Sequence, residues 1–241
     1  MSEWKAKRFW KAATVTETPE GWGIALDGRA VKTPAKRALR VPTRALAEAI
    51  AAEWDAQQGV IRPETMPLTR AANAALDKVA TARAEVAAML AAYAETDLLC
   101  HRASEEPELI ARQDAGWNPL LDWCAGQGAP LVAGPGVLPH PQPAASLAAL
   151  AERLAGLDAW ELTALHDLVA LTGSLVLGLA VFDGRLGADE GWHLSRIDED
   201  WQAERWGVDH EAAIAAAQKQ AAHADAARLR ALLQHNQPDA A

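Results

Sequence analysis

Two groups of residues in this chain have side chains suited to chemistry. One is the adjacent pair Cys100-His101, and the other is the acidic run Asp198-Glu199-Asp200, followed by Trp201, Gln202, Glu204 and Trp206. A thiol beside an imidazole suggests a thiolate nucleophile or a pair of metal ligands. Either would need further groups from Cys124 or from His140, His166, His193, His210, His223 or His235. None of these shows zinc-ligand spacing such as Cys-x-x-Cys or His-x-x-x-His. Gly134-Pro135-Gly136 lacks the lysine and Ser/Thr of a P-loop and any strand–glycine–helix setting for a dinucleotide, so it reads as an ordinary turn. Gly173-Ser174 lies inside an apolar helical pattern without the strand-to-helix elbow of a nucleophilic serine, and it reads as a site of close packing. Most other carboxylates fit solvated helix faces.

The acidic run leaves two readings open. On a helix, Leu194, Ile197 and Trp201 share a face, with Asp198 near its edge and Gln202 one turn later. An anionic and aromatic rim beside apolar anchors suits a protein partner, because aromatics contribute affinity while charges steer association. The alternative is that Trp201 is core and the acids keep the surface soluble. Trp54 shares a face with Leu46 and Ile50 and reads as core, with Glu53, Asp55 and Gln57 on the solvent side.

The elements that must position these groups follow from the hydrophobic periodicity. From Arg8 to Val41 short alternating runs are cut by turn residues, and Asp27-Gly28 between two such runs predicts a two-residue hairpin turn. After Pro42 the period changes to about 3.6, which predicts a helix with Leu46, Ile50 and Trp54 inward and a stop at Gly59. Helices are expected near 67–80 and 82–95. Another is expected from a Ser104 cap towards Trp117, with Asn118-Pro119 kinking or restarting it. Residues 126–143, rich in Gly and Pro, predict a loop with a short extended piece at Leu131-Val132. A long helix capped by Asp158 should carry LVALTGSLVLGLAVF, which is apolar on all sides but shorter than the roughly 20 residues that cross a bilayer, so it reads as a buried central helix. Helices near 188–205 and 209–235 follow, separated by Trp206-Gly207, with Asp209 as a cap.

Composition narrows the function. The 241 residues are half apolar, enough for a substantial core, and alanine makes up roughly a quarter of them, which favours helices. A net charge of −9 speaks against a general nucleic-acid binder. The charge is uneven: residues 1–44 hold ten basic and four acidic residues, net +6, leaving −15 for the rest. This basic head could attract an acidic partner or the chain's own acidic body. Two cysteines without the spacing of a secreted scaffold indicate a reducing compartment, and MSEWKAKRFW has no signal-peptide run, so a bacterial cytoplasm is expected.

Taken in order, several stretches resemble a known family, the assembly chaperones of the F-type ATP synthase catalytic sector. They are RFWKAATV, ALDGRAVKTP, AEWDAQ followed by MPLT, TDLLCHR, the set Gln113, Trp117 and Pro119 in QDAGWNP, and DEDWQAERWG. The resemblance implies an α+β fold, with a small antiparallel β-rich N-terminal domain (1–42) followed by a larger mainly α-helical domain (43–241). It also implies no catalysis, no cofactor or metal, no nucleic acid, no membrane insertion and no required small-molecule ligand. The implied partner is the unassembled ATP synthase alpha subunit, bound without ATP so that its beta-facing surface is shielded. The family's important acidic position falls on Asp198, where glutamate is more usual, and the partner-binding set is Asp198, Glu199, Asp200, Trp201 and Glu204. Mitochondrial members carry a targeting segment that is not seen here, in keeping with a bacterial cytoplasm. An alternative from another class is a cytoplasmic hydrolase or metalloenzyme using Cys100, His101 and carboxylates. A structural adaptor with a different client is a third reading.

Overall fold

A computed structural model of the chain describes residues 7–136 and 138–234. The first six residues, Val137 and the stretch from His235 onward lie outside the described residues. An antiparallel sheet is followed by a mostly helical region, as expected. The described residues divide into two compact units: 7–82 with 159–163 and 228–234, and 83–158 with 164–227. The strand-rich stretch thus shares its unit with the helices that follow it up to Ala82.

In the first unit, β1 (Ala13–Thr18) pairs antiparallel with β2 (Gly21–Leu26), which pairs in turn with β3 (Arg29–Ala30) and β4 (Arg40–Val41). Asp27 and Gly28 make the expected turn between β2 and β3, both with positive φ (46° and 80°), so Leu26 faces Arg29. The Asp27 carboxylate accepts from the Lys11 and Ala12 amides, and these bonds hold its pKa below the usual value. Helix α1 (Arg44–Asp55) starts at Thr43, whose hydroxyl accepts from the Leu46 amide and donates to the Leu232 carbonyl. Leu46 and Ile50 are fully buried, as the period predicts, whereas Trp54, read as core, is only half-buried.

Glu53 and Gln57 depart from expectation, since both are buried. Helix α2 (Pro67–Asp77) begins with a proline, and Met66 before it offers no side-chain cap. Glu53 supplies that cap from α1: one oxygen accepts from the Leu68 amide at 2.7 Å, the other from the Thr69 amide at 2.8 Å and the Thr69 hydroxyl at 2.6 Å. An anionic group at a helix N-terminus satisfies donors the helix cannot pair itself. Gln57 fastens the intervening loop, accepting from the Arg62 amide and donating to Thr65 Oγ1. The AEWDAQ and MPLT stretches are two halves of one lock.

The second unit contains α3 (Arg83–Ala91), which ends earlier than expected in a tight turn at Ala92–Thr96, and α4 (Pro107–Gly126). Helix α4 begins at Pro107 with no side-chain cap from Glu106, so Ser104 does not cap it, and it runs through Asn118-Pro119 without stopping. The extended piece of the Gly/Pro loop lies at β6 (Gly134–Pro135), parallel to β5 (His101–Arg102), rather than at Leu131-Val132. The Gln142 amide already occupies the Val132 N–H and C=O, which removes that residue from strand pairing. Helix α5 (Ala144–Ala155) follows.

The apolar run is divided in two. Helix α6 (Ala159–Thr172) stops at Gly173 (φ 71°), and Ser174 caps α7 (Leu175–Phe182), every residue of which is buried. Gly173-Ser174 is therefore a helix break rather than a packing contact. Asp97, from TDLLCHR, completes the break: its carboxylate accepts from the Ser174 hydroxyl at 2.7 Å and from the Val176 and Leu99 amides at 3.0 Å. Burial pushes the Asp97 carboxyl above its usual pKa despite these donors. The 188–205 prediction resolves into α8 (Ala188–Leu194) and α9 (Ile197–Trp206), then Gly207 and α10 (His210–Gln234). Asp209 caps α10 as expected, accepting from the Glu211 and Ala212 amides. Among the described residues no helix is long and apolar enough to cross a membrane.

Candidate functional site

The Cys100-His101 pair does not assemble a reactive centre. Both thiols are free and buried, and burial pushes Cys100 up to about 12 and Cys124 up to about 11, far from a thiolate at neutral pH. The described residues contain no group of three or more His, Cys, Asp or Glu placed to hold a metal ion.

The acidic run is built on α4. Gly116 lets α8 and α9 come close to α4, since a Cβ there would stand 2.9 Å from side-chain carbons of Leu194 and Ile197. The buried Gln113 donates to Asp198 Oδ1 at 2.7 Å and accepts from the Ala103 amide, while Trp117 Nε1 donates to the Leu194 carbonyl at 2.8 Å. Gln113 and Trp117 are thus the anchors that seat α8 and α9 on α4. Asp198 is half-buried and committed to this seat.

The remaining acids of the set turn outward. Glu199 pairs with Arg196 at 2.7 Å. Arg112 bridges Glu204 and Glu108, Glu108 also meets Arg205, and the Arg112 guanidinium holds the Glu204 carboxyl below its usual pKa. Asp200 is exposed and has no side-chain hydrogen bond or ion pair among the described residues. Trp201 is buried at 4% exposure, with Arg205 stacked 4.9 Å from its ring and Trp206 meeting it edge-on at 5.5 Å. Glu199, Asp200 and Glu204 are thus all exposed, with Glu204 turned to Arg112 of α4, whereas Asp198 is half-buried and Trp201 buried.

Sequence reasoning passed over the neighbouring apolar surface. Trp206 is 73% exposed and Val208 62%, and beside them runs a groove of about 570 Å³ between α9 and the start of α10. The only sequence signal for it was a tryptophan directly before a helix-ending glycine. His223 is buried 6.0 Å from the ring of Trp192, a residue that lines the groove, with neither ring nitrogen hydrogen-bonded to the described residues. Burial pushes its pKa down.

Comparison with known proteins matches residues 7–125 to the family described as ATP12 chaperone protein. A curated relative, the mitochondrial protein atp12 of Schizosaccharomyces pombe, is 27% identical over 83% of this chain and 74% of its own length. The crystal structure of Atp12 from Paracoccus denitrificans is 51% identical with a TM-score of 0.93, covering 96% of this chain and all of that one. The Atu1473 protein of Agrobacterium tumefaciens, 40% identical, matches with a TM-score of 0.90 over 95% of this chain and 86% of its own. With sequence and architecture shared along nearly its whole length, the chain belongs to the ATP12 chaperone family, the ATP synthase assembly chaperones its motifs resemble.

Proposed function

We propose that the protein binds the unassembled alpha subunit of the ATP synthase catalytic sector and shields its beta-facing surface until beta takes over. Binding proceeds without ATP and without catalysis, in a bacterial cytoplasm. The observation that carries this reading is the near full-length likeness to ATP12 chaperones.

Exposed Glu199 and Asp200, which line the same groove as exposed Trp206, support a protein client over a small-molecule substrate, and exposed Glu204 adds to the acidic surface. Asp198 and Trp201 serve the same surface from below, by holding its backbone in place. Charges at an interface rim set association rate and partner choice, while an aromatic anchor supplies affinity. The complex must also yield to the larger alpha–beta contact, which sets an upper bound on useful affinity.

Mixing the purified chain with isolated alpha subunit tests the proposal. Co-elution and suppressed light scattering of alpha, both unchanged when ATP is omitted, are the expected results. Absence of a complex together with unprotected aggregation refutes it.

A further inference from the structure

We propose that the groove between α9 and the start of α10 seats an amphipathic helix of the client, one that carries Lys or Arg along an edge of its apolar face. This rests on the reading of the protein as a chaperone that binds the alpha subunit.

Helix α10 is unusual in its first half. From His210 to Ala222 none of its residues is buried, and the first buried one is His223. An exposed helix is ordinarily faced with long polar side chains, yet α10 turns Ala212, Ala213, Ala216 and Ala217 towards the groove. Alanines leave room where larger side chains would close the gap. Opposite them stand Ala203 and Trp206, and the 73% exposed indole is a flat apolar face that no described residue covers.

The dimensions suit a helix. Ala212 to Gln220 spans about 12 Å of helix axis at ~1.5 Å per residue, enough for an occupant to lay two successive turns of its apolar face between the walls. The volume of about 570 Å³ lies within the roughly 300–1,000 Å³ of side-chain-scale binding clefts.

Charge selects the occupant's polar edge. Arg196 on the groove wall is neutralised by Glu199, and Asp209 is committed to capping α10. Asp200 remains as an exposed carboxylate on the rim without a side-chain partner among the described residues, so the rim presents negative charge that these residues leave uncompensated. A basic edge beside the apolar face complements it, and an acidic edge is repelled.

The test titrates the full-length chain with purified alpha subunit, using three variants whose folding is checked by circular dichroism and Tm. Ala216→Trp fills the groove and should weaken binding about tenfold, as loss of a buried anchor does, whereas Ala216→Ser should bind as wild type. Asp200→Lys should weaken binding about threefold or more and flatten its salt dependence. If Ala216→Trp lowers Tm, the uncharged Val208→Asn, which makes the exposed mouth polar, carries the same comparison. Wild-type affinity in Ala216→Trp, or in the Val208 variant where that one is used, overturns the groove and leaves the alpha-subunit reading intact. Unchanged binding by Asp200→Lys overturns the basic edge. A wild-type chain that binds no alpha subunit overturns both.

Discussion

Replacing Glu53 with alanine should destabilise the first compact unit more than any surface change, although Glu53 is a charged residue on an amphipathic helix. Its carboxylate accepts three bonds of 2.6–2.8 Å, from the Leu68 amide, the Thr69 amide and the Thr69 hydroxyl. Losing a helix cap costs about 1 kcal/mol, and each buried donor left without a partner costs about 1–3 kcal/mol. Thr69 is itself buried, while the hydroxyl can turn to another acceptor and water can reach part of the site. The expected loss is therefore about 3–5 kcal/mol. Glu53→Gln keeps one acceptor oxygen but points an amide donor at the second group, so about 1–3 kcal/mol is expected. Urea unfolding followed by tryptophan fluorescence gives the magnitude, and hydrogen exchange of the Leu68 and Thr69 amides gives the location. An alanine variant within about 0.5 kcal/mol of wild type, with those amides still protected, would refute the capping role.

Three further outcomes follow from the same geometry. Asp97→Asn should cost about 2–3 kcal/mol, because an amide turned towards the Val176 or Leu99 N–H meets donor with donor; thermal unfolding checks this. A thiol reagent at pH 8 should label neither Cys100 nor Cys124 in the native chain and both after denaturation, and rapid native labelling would contradict the raised thiol values. The imidazole of His223 has a folded pKa below its ordinary 6.5, so the unfolded chain takes up the extra proton first, and stability falls as pH drops through 6.5 towards the folded value. Asp189, which opposes that shift, is outweighed by burial, and His223→Phe should remove this part of the pH dependence of Tm.

Local features of the fold were legible in the sequence because their causes are local. Asp27-Gly28 sets its own backbone twist, and the inward face of α1 follows from Leu46 and Ile50 one turn apart. Features that depend on a distant partner were not. Glu53 reads as solvated because the amides it caps lie 15 and 16 residues later, and Asp198 looks like surface because Gln113 stands 85 positions earlier. The break at Gly173-Ser174 was hidden by an apolar pattern that continues on both sides of it. Of the candidate site, the exposed acids were readable as a charge run, whereas the groove was not, because alanine gives almost no amphipathic signal. The motifs that carried the family resemblance proved to be fasteners: Glu53 with α2, Asp97 with α7, and Gln113 and Trp117 with α8 and α9.

The Asp97 contact also orders events during synthesis. Ser174, the cap of α7, is held by a carboxylate 77 positions nearer the amino terminus, which has left the ribosome well before the apolar turns that need it. A nascent segment as greasy as LVLGLAVF is a hazard while it waits for partners. Here the docking point is waiting for the segment. A circular permutant opened between residues 97 and 174 would reverse that order and expose the segment first.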